Sequence, residues 1–206
     1  MTNETSAPEQ ILAAATELFH ERSPAAVSLR EIARRAGVNY GLIHHYFGTK
    51  EAVLAEVFRT SALHGGRLLA DAEDTETALA RLGRDPRAYA RMLAWAVLDS
   101  DTSKVFAHES PAIRTLTRLV GREWEAGPSP DRTRDGYDPR VVAATSVLAV
   151  LAWSVFAPYV FPAAGLTDRD PDDVHAEVLE LLRDMIAATG PIPAPAHEEA
   201  ETHDRD

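Results

Sequence analysis

Residues 28–50 read SLREIARRAGVNYGLIHHYFGTK. Ser28 and Glu31 form an S-x-x-E pair, in which the serine hydroxyl and the glutamate carboxylate satisfy each other's free backbone N–H groups and so start a helix. That helix is expected over Leu29 to Ala36, and Gly37 stops it by adopting the left-handed conformation that a Cβ disfavours. A second short helix is expected over Asn39 to Tyr46, with Asn39 as its cap, before Phe47, Gly48 and Thr49 break it. Turning Ile32, Ala33, Val38, Ile43 and Phe47 inward gives two short helices joined by a tight turn, the shape of a helix-turn-helix. The far side of the second helix then carries Gly41, His44 and His45, with Tyr40 at the flank and Asn39 at the start.

That outer face is rich in donors and aromatic edges and has no carboxylate. Within residues 28–50 the basic side chains are Arg30, Arg34, Arg35 and Lys50, against Glu31 alone. The rest of the chain is the opposite: the 206 residues carry a formal charge of −11, and residues 61–206 hold 15 basic and 25 acidic groups. Duplex DNA would be repelled by most of such a surface and attracted only to a focused basic patch. Gly41 inside a helix is worth about 1 kcal/mol less than alanine, and the missing Cβ lets a groove approach the backbone closely. Other readings stand beside this one. His44 and His45 also suit a polar face that meets another protein, Tyr46 lies near enough to the inward side to be core, and Arg34 and Arg35 read as solvated charges.

Working outward, Ser6 with Glu9 opens a first helix with Pro8 in its first turn. Ile11, Leu12, Ala15, Leu18, Phe19 and Arg22 form its inner stripe, and it ends near Glu21 before Ser23 and Pro24. Thr49 can cap a longer helix bearing Ala52, Val53, Val57 and Phe58. Further helices are expected over 86–98, 111–125, 139–157 and 171–189, each with proline near its start, and a weaker one over 72–82. Pro158 is expected to stop the 139–157 helix at about Ala157. Residues 127–138 read as an exposed loop, and 191–206 as a mobile, Pro-rich acidic tail. No sustained strand alternation is present, so the fold is expected to be all-α. Three parts follow: a helix-turn-helix domain over 1–58, a larger helical domain over 59–190, and the tail over 191–206.

At this point the residues carry a resemblance. SLREIARRAGV, then NYGLIHHYFGTKEAVL, preceded by the amphipathic ILAAATELF, is similar to the DNA-binding end of the TetR family of bacterial transcription regulators, over roughly residues 8–58. The resemblance implies a homodimeric repressor that puts the helix over 39–46 into the major groove of a palindromic operator and is released by a small-molecule effector. By position it implies Asn39, Tyr40, Gly41, His44 and His45 at bases and phosphates, Tyr46 at a phosphate, and Thr49 and Lys50 at the backbone. Ser28 and Arg30 match the family's helix-start contacts. The chain departs from the family at Leu42, where serine or threonine is common, and at His44, where tyrosine is.

The larger remainder resembles the family only in length and helical content. Dimerisation falls to its two most apolar helices, 139–157 and 171–189, which plain core packing would also explain. Met92, Trp95, Phe106, His108, Trp124, Trp153 and Phe156 are candidates to line a cavity for an apolar effector, though large aromatics at helical spacing also suit an ordinary core. Between Arg140 and Asp168 lie 27 residues without a charge, a stretch read as a helix buried on nearly all sides, within a core or between subunits, and not as a membrane span. The polar, acidic N-terminus is neither secretory signal nor transit peptide, which makes the cytoplasm the expected address. There is no cysteine and no P-loop, G-x-S-x-G, G-x-G-x-x-G or H-E-x-x-H motif, so neither cofactor nor metal is expected. Two other classes remain open: a ligand-sensing or scaffold protein without DNA binding, and an all-α enzyme without a known signature.

Overall fold

A computed structural model describes residues 6–99, 109–126, 132–134, 136–190 and 192–193. The described helices are α1 (Ala7–Glu21), α2 (Leu29–Ala36), α3 (Tyr40–Tyr46), α4 (Lys50–Leu68), α5 (Thr75–Gly83), α6 (Arg87–Asp99), α7 (Pro111–Ala126), α8 (Pro139–Ala163) and α9 (Pro171–Ala188). The fold is all-α, as the periodicity predicts. Local chemistry explains most of the starts. Asp74, Asp138 and Asp170 accept the backbone N–H of Thr77, Arg140 and Asp172, at 2.7, 2.8 and 2.8 Å. These side-chain oxygens satisfy donors that a helix N-terminus leaves free.

The structure departs from the sequence reading in four places. A single 3₁₀ turn, Pro24–Ala26, fills the link between α1 and α2. The weak helix over 72–82 starts instead at Thr75, where Asp74 supplies the cap. Helix α8 does not stop at Ala157 but continues through Pro158 and Pro162 to Ala163. Each proline removes one backbone bond. The two stand one turn apart, both at exposed positions. Finally, Arg132–Arg134 (β1) pairs antiparallel with Ile192–Pro193 (β2), joining parts of the expected loop and tail. A ribbon of three and two residues is too short to register as alternation. The remainder of the expected tail lies outside the described residues, as do residues 127–131 and 135 of the loop.

Two apolar cores divide the helices. The first gathers Ile11, Ala15, Leu18 and Phe19 of α1, Ile32 and Ala33 of α2, Ile43 of α3, and Val53, Val57 and Phe58 of α4. Helix α6 adds Met92 and Ala96 to it. The second joins α5, α7, α8 and α9 through Leu79, Leu116, Leu119, Ala143, Val150, Leu182 and Ile186, with Leu69 at the end of α4. Residue 58 thus falls inside α4, which runs from one core to the other.

Candidate nucleic-acid interface

The helix-turn-helix is built from contacts within its own stretch. Ser28 Oγ accepts the Glu31 N–H at 3.3 Å, and Glu31 Oε2 accepts the Ser28 N–H at 2.9 Å. Gly37 ends α2 at φ +69°, and Asn39 Oδ1 starts α3 by accepting the Gly41 N–H at 2.8 Å. Ile32, Ala33 and Ile43 are buried, while Val38 and Phe47 pack at the edge of the same core. Asn39, Tyr40, Gly41, His44, His45 and Tyr46 are all exposed together, with Thr49 beside them. Tyr46, which the sequence also allowed as core, is 47% exposed.

The charges near this face are arranged to leave it positive. Glu31, the one carboxylate in the stretch, is paired with Arg22 at 2.7 Å. The Ser28 backbone N–H, then Arg22, then the Ser28 hydroxyl hold its carboxyl down at about 2. Arg35 is drawn away to Glu17 and Glu21, at 3.1 and 3.0 Å, which fits its reading as a charge outside the interface. Arg30 lies with its guanidinium carbon 5.9 Å over the Tyr40 ring.

Three features of the face are invisible to sequence reading. Lys50 is half-buried, and its Nζ donates to the carbonyls of Pro24 and Ala25 at 3.1 and 3.4 Å, so the 3₁₀ turn holds the ammonium at the start of α4. His44 engages both ring nitrogens within the chain, Nδ1 at 2.8 Å from Gly48 O and Nε2 at 2.8 Å from Tyr40 Oη. Gly41 has a local reason, since a Cβ there would stand 3.3 Å from Asn39 Oδ1. The second depends on the turn at Gly48, which stands at φ +75°.

The aromatic set in the remainder is dispersed. Met92 is fully buried in the first core. Trp95 is half-buried beneath Arg91, whose guanidinium carbon is 4.7 Å from the ring centroid. Trp124 packs at the second core, donating from Nε1 to Ile186 O at 3.0 Å. Its ring also lies so close to Gly190 that a Cβ there would come within 2.8 Å. Trp153 is half-buried with its ring 6.1 Å from that of Phe161, and Phe156 is 59% exposed. Phe106 and His108 lie outside the described residues. Among the described residues no group of three or more histidine or acidic side chains is disposed to hold a metal ion.

Helix α8 is long and apolar enough to cross a membrane by length and composition. Within one chain it is not buried on nearly all sides: Leu148 is 65% and Tyr159 74% exposed, and Val141 is exposed too. Helix α9 adds exposed Leu181 and Met185.

Comparison with known proteins agrees with this geometry. Residues 11–57 match the family model described as bacterial regulatory proteins, tetR family. The HTH-type transcriptional repressor Rv3405c of Mycobacterium tuberculosis is 34% identical over 175 residues, covering 82% of each chain. The HTH-type transcriptional regulator BetI of Rhizobium meliloti is 36% identical over 74 residues, 36% of this chain and 33% of that one. Among solved structures, Salmonella enterica GusR superposes with a TM-score of 0.66 at 14% identity, covering 92% of this chain and 97% of that one. The transcriptional regulator FadR from Bacillus subtilis in complex with stearoyl-CoA superposes with a TM-score of 0.61 at 19% identity, covering 84% and 96%. The likeness to these structures is one of fold.

Proposed function

This chain belongs to the TetR family, the bacterial regulatory proteins that act as helix-turn-helix transcriptional regulators and not as enzymes, and we propose that it represses transcription by docking α3 in the major groove of a palindromic operator. The observation that carries this reading is the exposed face of α3, free of carboxylates and continuous with Thr49 and Lys50. Arg30, Tyr46, Thr49 and Lys50 meet phosphates, which fix register without reading sequence. Asn39, Tyr40 and His45 face base edges, and Gly41 lets the helix backbone approach the groove. Ser28 holds the start of α2. The setting of this work is the cytoplasm.

A reader of this kind gains specificity as a dimer, with half-sites about 34 Å or a multiple apart. The exposed apolar strips of α8 and α9 support pairing between two copies through these helices. Burying a leucine- or phenylalanine-sized side chain contributes about 1.5–3 kcal/mol, so six such residues per copy favour association strongly. Release follows from a small apolar effector that binds preferentially to a dimer whose heads are wrongly spaced for the operator, which lowers DNA affinity by linkage. The FadR neighbour holds stearoyl-CoA. In this chain Trp95 on α6 and Trp153 on α8, both half-buried on helices that touch, support an effector site best.

A gel shift with the upstream region of the protein's own gene, at two salt concentrations, tests the reading. A dimer neutralising about six phosphates loses roughly a thousandfold in affinity between 50 and 200 mM salt. The double variant Tyr40→Ala, Lys50→Ala is expected to give no shift. A shift insensitive to salt, or retained by that variant, would contradict the assignment.

A further inference from the structure

The pair formed by His44 and Tyr40 on the outer face of α3 has a chemical direction. Gly48 O is a carbonyl oxygen and can only accept, so the His44 Nδ1 that lies 2.8 Å from it carries the hydrogen. The position of that carbonyl is set by the turn. Gly48 sits at φ +75°, and its own N–H is held by the carbonyls of His44 and Ile43 at 3.1 and 3.3 Å. In the neutral ring Nε2 then offers only a lone pair, and the group 2.8 Å away is the Tyr40 hydroxyl, which must donate to it. The rings meet edge to face, 4.8 Å apart and 82° inclined. Arg30 over the Tyr40 ring adds a second restraint on the phenol.

Two consequences follow. His44 has no ring nitrogen left for DNA, although it stands on the reading face. Tyr40, with its proton committed to His44, presents lone pairs alone. Phosphate oxygens, guanine O6 and N7, adenine N7 and thymine O4 are acceptors, whereas adenine N6 and cytosine N4 are the donors of the major groove. We propose that His44 is a positioning residue that fixes the Tyr40 hydroxyl as an acceptor, so that Tyr40 selects a base with an amine on its major-groove edge, adenine or cytosine, and does not anchor a phosphate. The inference rests on the reading of α3 as the groove helix.

Selection from a randomised duplex library with the full-length chain, compared among wild type, Tyr40→Phe and His44→Phe, tests it. Wild type is expected to favour adenine or cytosine at one position of each half-site by about fivefold, the worth of a single neutral hydrogen bond. Tyr40→Phe abolishes that preference, and His44→Phe, which frees the tyrosine proton, lets guanine or thymine in at the same position. The inference is overturned if wild type shows no amine-bearing preference, if His44→Phe selects the wild-type sequence unchanged, or if it alters a position other than the one Tyr40→Phe alters. Nitrogen-15 shifts of the His44 ring in the wild-type protein at pH 8 supply a test that needs no variant. A protonated Nδ1 with a bare Nε2 is expected, and the opposite tautomer would refute the proposal. Failure of wild type to select any duplex would refute the groove-helix reading itself, and the inference with it.

Discussion

Gly41 and Lys50 separate what a side chain does for the fold from what it does for DNA. In Gly41→Ala the new Cβ meets Asn39 Oδ1 at 3.3 Å, a contact that a small shift relieves. Alanine is meanwhile favoured over glycine inside a helix by about 1 kcal/mol. Thermal unfolding is therefore expected to change by no more than about 1 kcal/mol, while operator affinity, read by fluorescence anisotropy, falls at least about tenfold because the methyl stands on the groove face. Equal affinity for the two proteins would show that the glycine serves the cap alone. Lys50→Ala is expected to weaken binding to all duplexes alike and to lower the salt slope by about one per protomer. It should also lower the melting temperature, since Pro24 and Ala25 lose the donor to their carbonyls. At this scale the sequence shows what is local. The S-x-x-E starts and the Asn39 and Thr49 caps are legible because each bond spans two or three residues. The tie from Lys50 to Pro24 spans 26 residues, and the Gly48 carbonyl that captures His44 depends on a backbone angle, so no residue pattern announces either. Arg22, assigned by spacing to an apolar stripe, is instead drawn to Glu31.

The start of α2 gives a prediction with a defined pH window. Folding lowers the Glu31 carboxyl from 4.5 to about 2, through the Ser28 N–H first and Arg22 next. A depressed carboxylate contributes stability in full above its unfolded value and loses it as pH falls through the folded one. The stability gap between wild type and Glu31→Gln, measured by urea unfolding, is thus expected to be present at neutral pH and to close between about 4.5 and about 2. A gap independent of pH would mean that the charge is irrelevant to the cap. Helix α8 yields a second prediction. Pro158→Ala restores a backbone bond and is expected to raise the melting temperature, because proline inside a helix is up to about 3 kcal/mol worse than alanine. A lower melting temperature would show that the proline shapes the helix usefully. Element boundaries set by caps are readable from the chain, as the S-x-x-E starts of α1 and α2 illustrate. The run of α8 past Pro158 is not, because proline taken locally reads as a stop and only the fold shows both prolines at exposed positions. Nor is the pairing of Arg132–Arg134 with Ile192–Pro193, which joins segments far apart in sequence.

In the molecule as a whole, the two cores show how the head that reads DNA is mounted. Met92, assigned by its apolar character to an effector cavity, is buried in the first core, which also holds residues of α1 and α4. Helix α6 also packs on α8 and on the 3₁₀ turn that holds Lys50, so it touches both the head and the body. Composition could separate an acidic body from the short positive stretch over 28–50, but it could not reveal that one helix of the body completes the head's core. The outer strips of α8 and α9 make the fold's largest prediction. Leu148→Arg with Phe156→Arg places unpaired charge where two copies would meet, and sedimentation is expected to show monomers with unchanged helical content and operator affinity at least about a hundredfold weaker, two unpaired buried charges exceeding the 3 kcal/mol or so that such a loss requires. A persistent dimer would move the interface elsewhere.

The central claim is that a small positive face on an otherwise acidic chain reads duplex DNA. Capture of whole-genome fragments by the purified full-length protein, in dilute salt and without added effector, tests it most directly. The account predicts a few recurrent fragments sharing an inverted repeat with half-site centres about 34 Å or a multiple apart, released as salt rises. Retention of no duplex fragment under those conditions would contradict it.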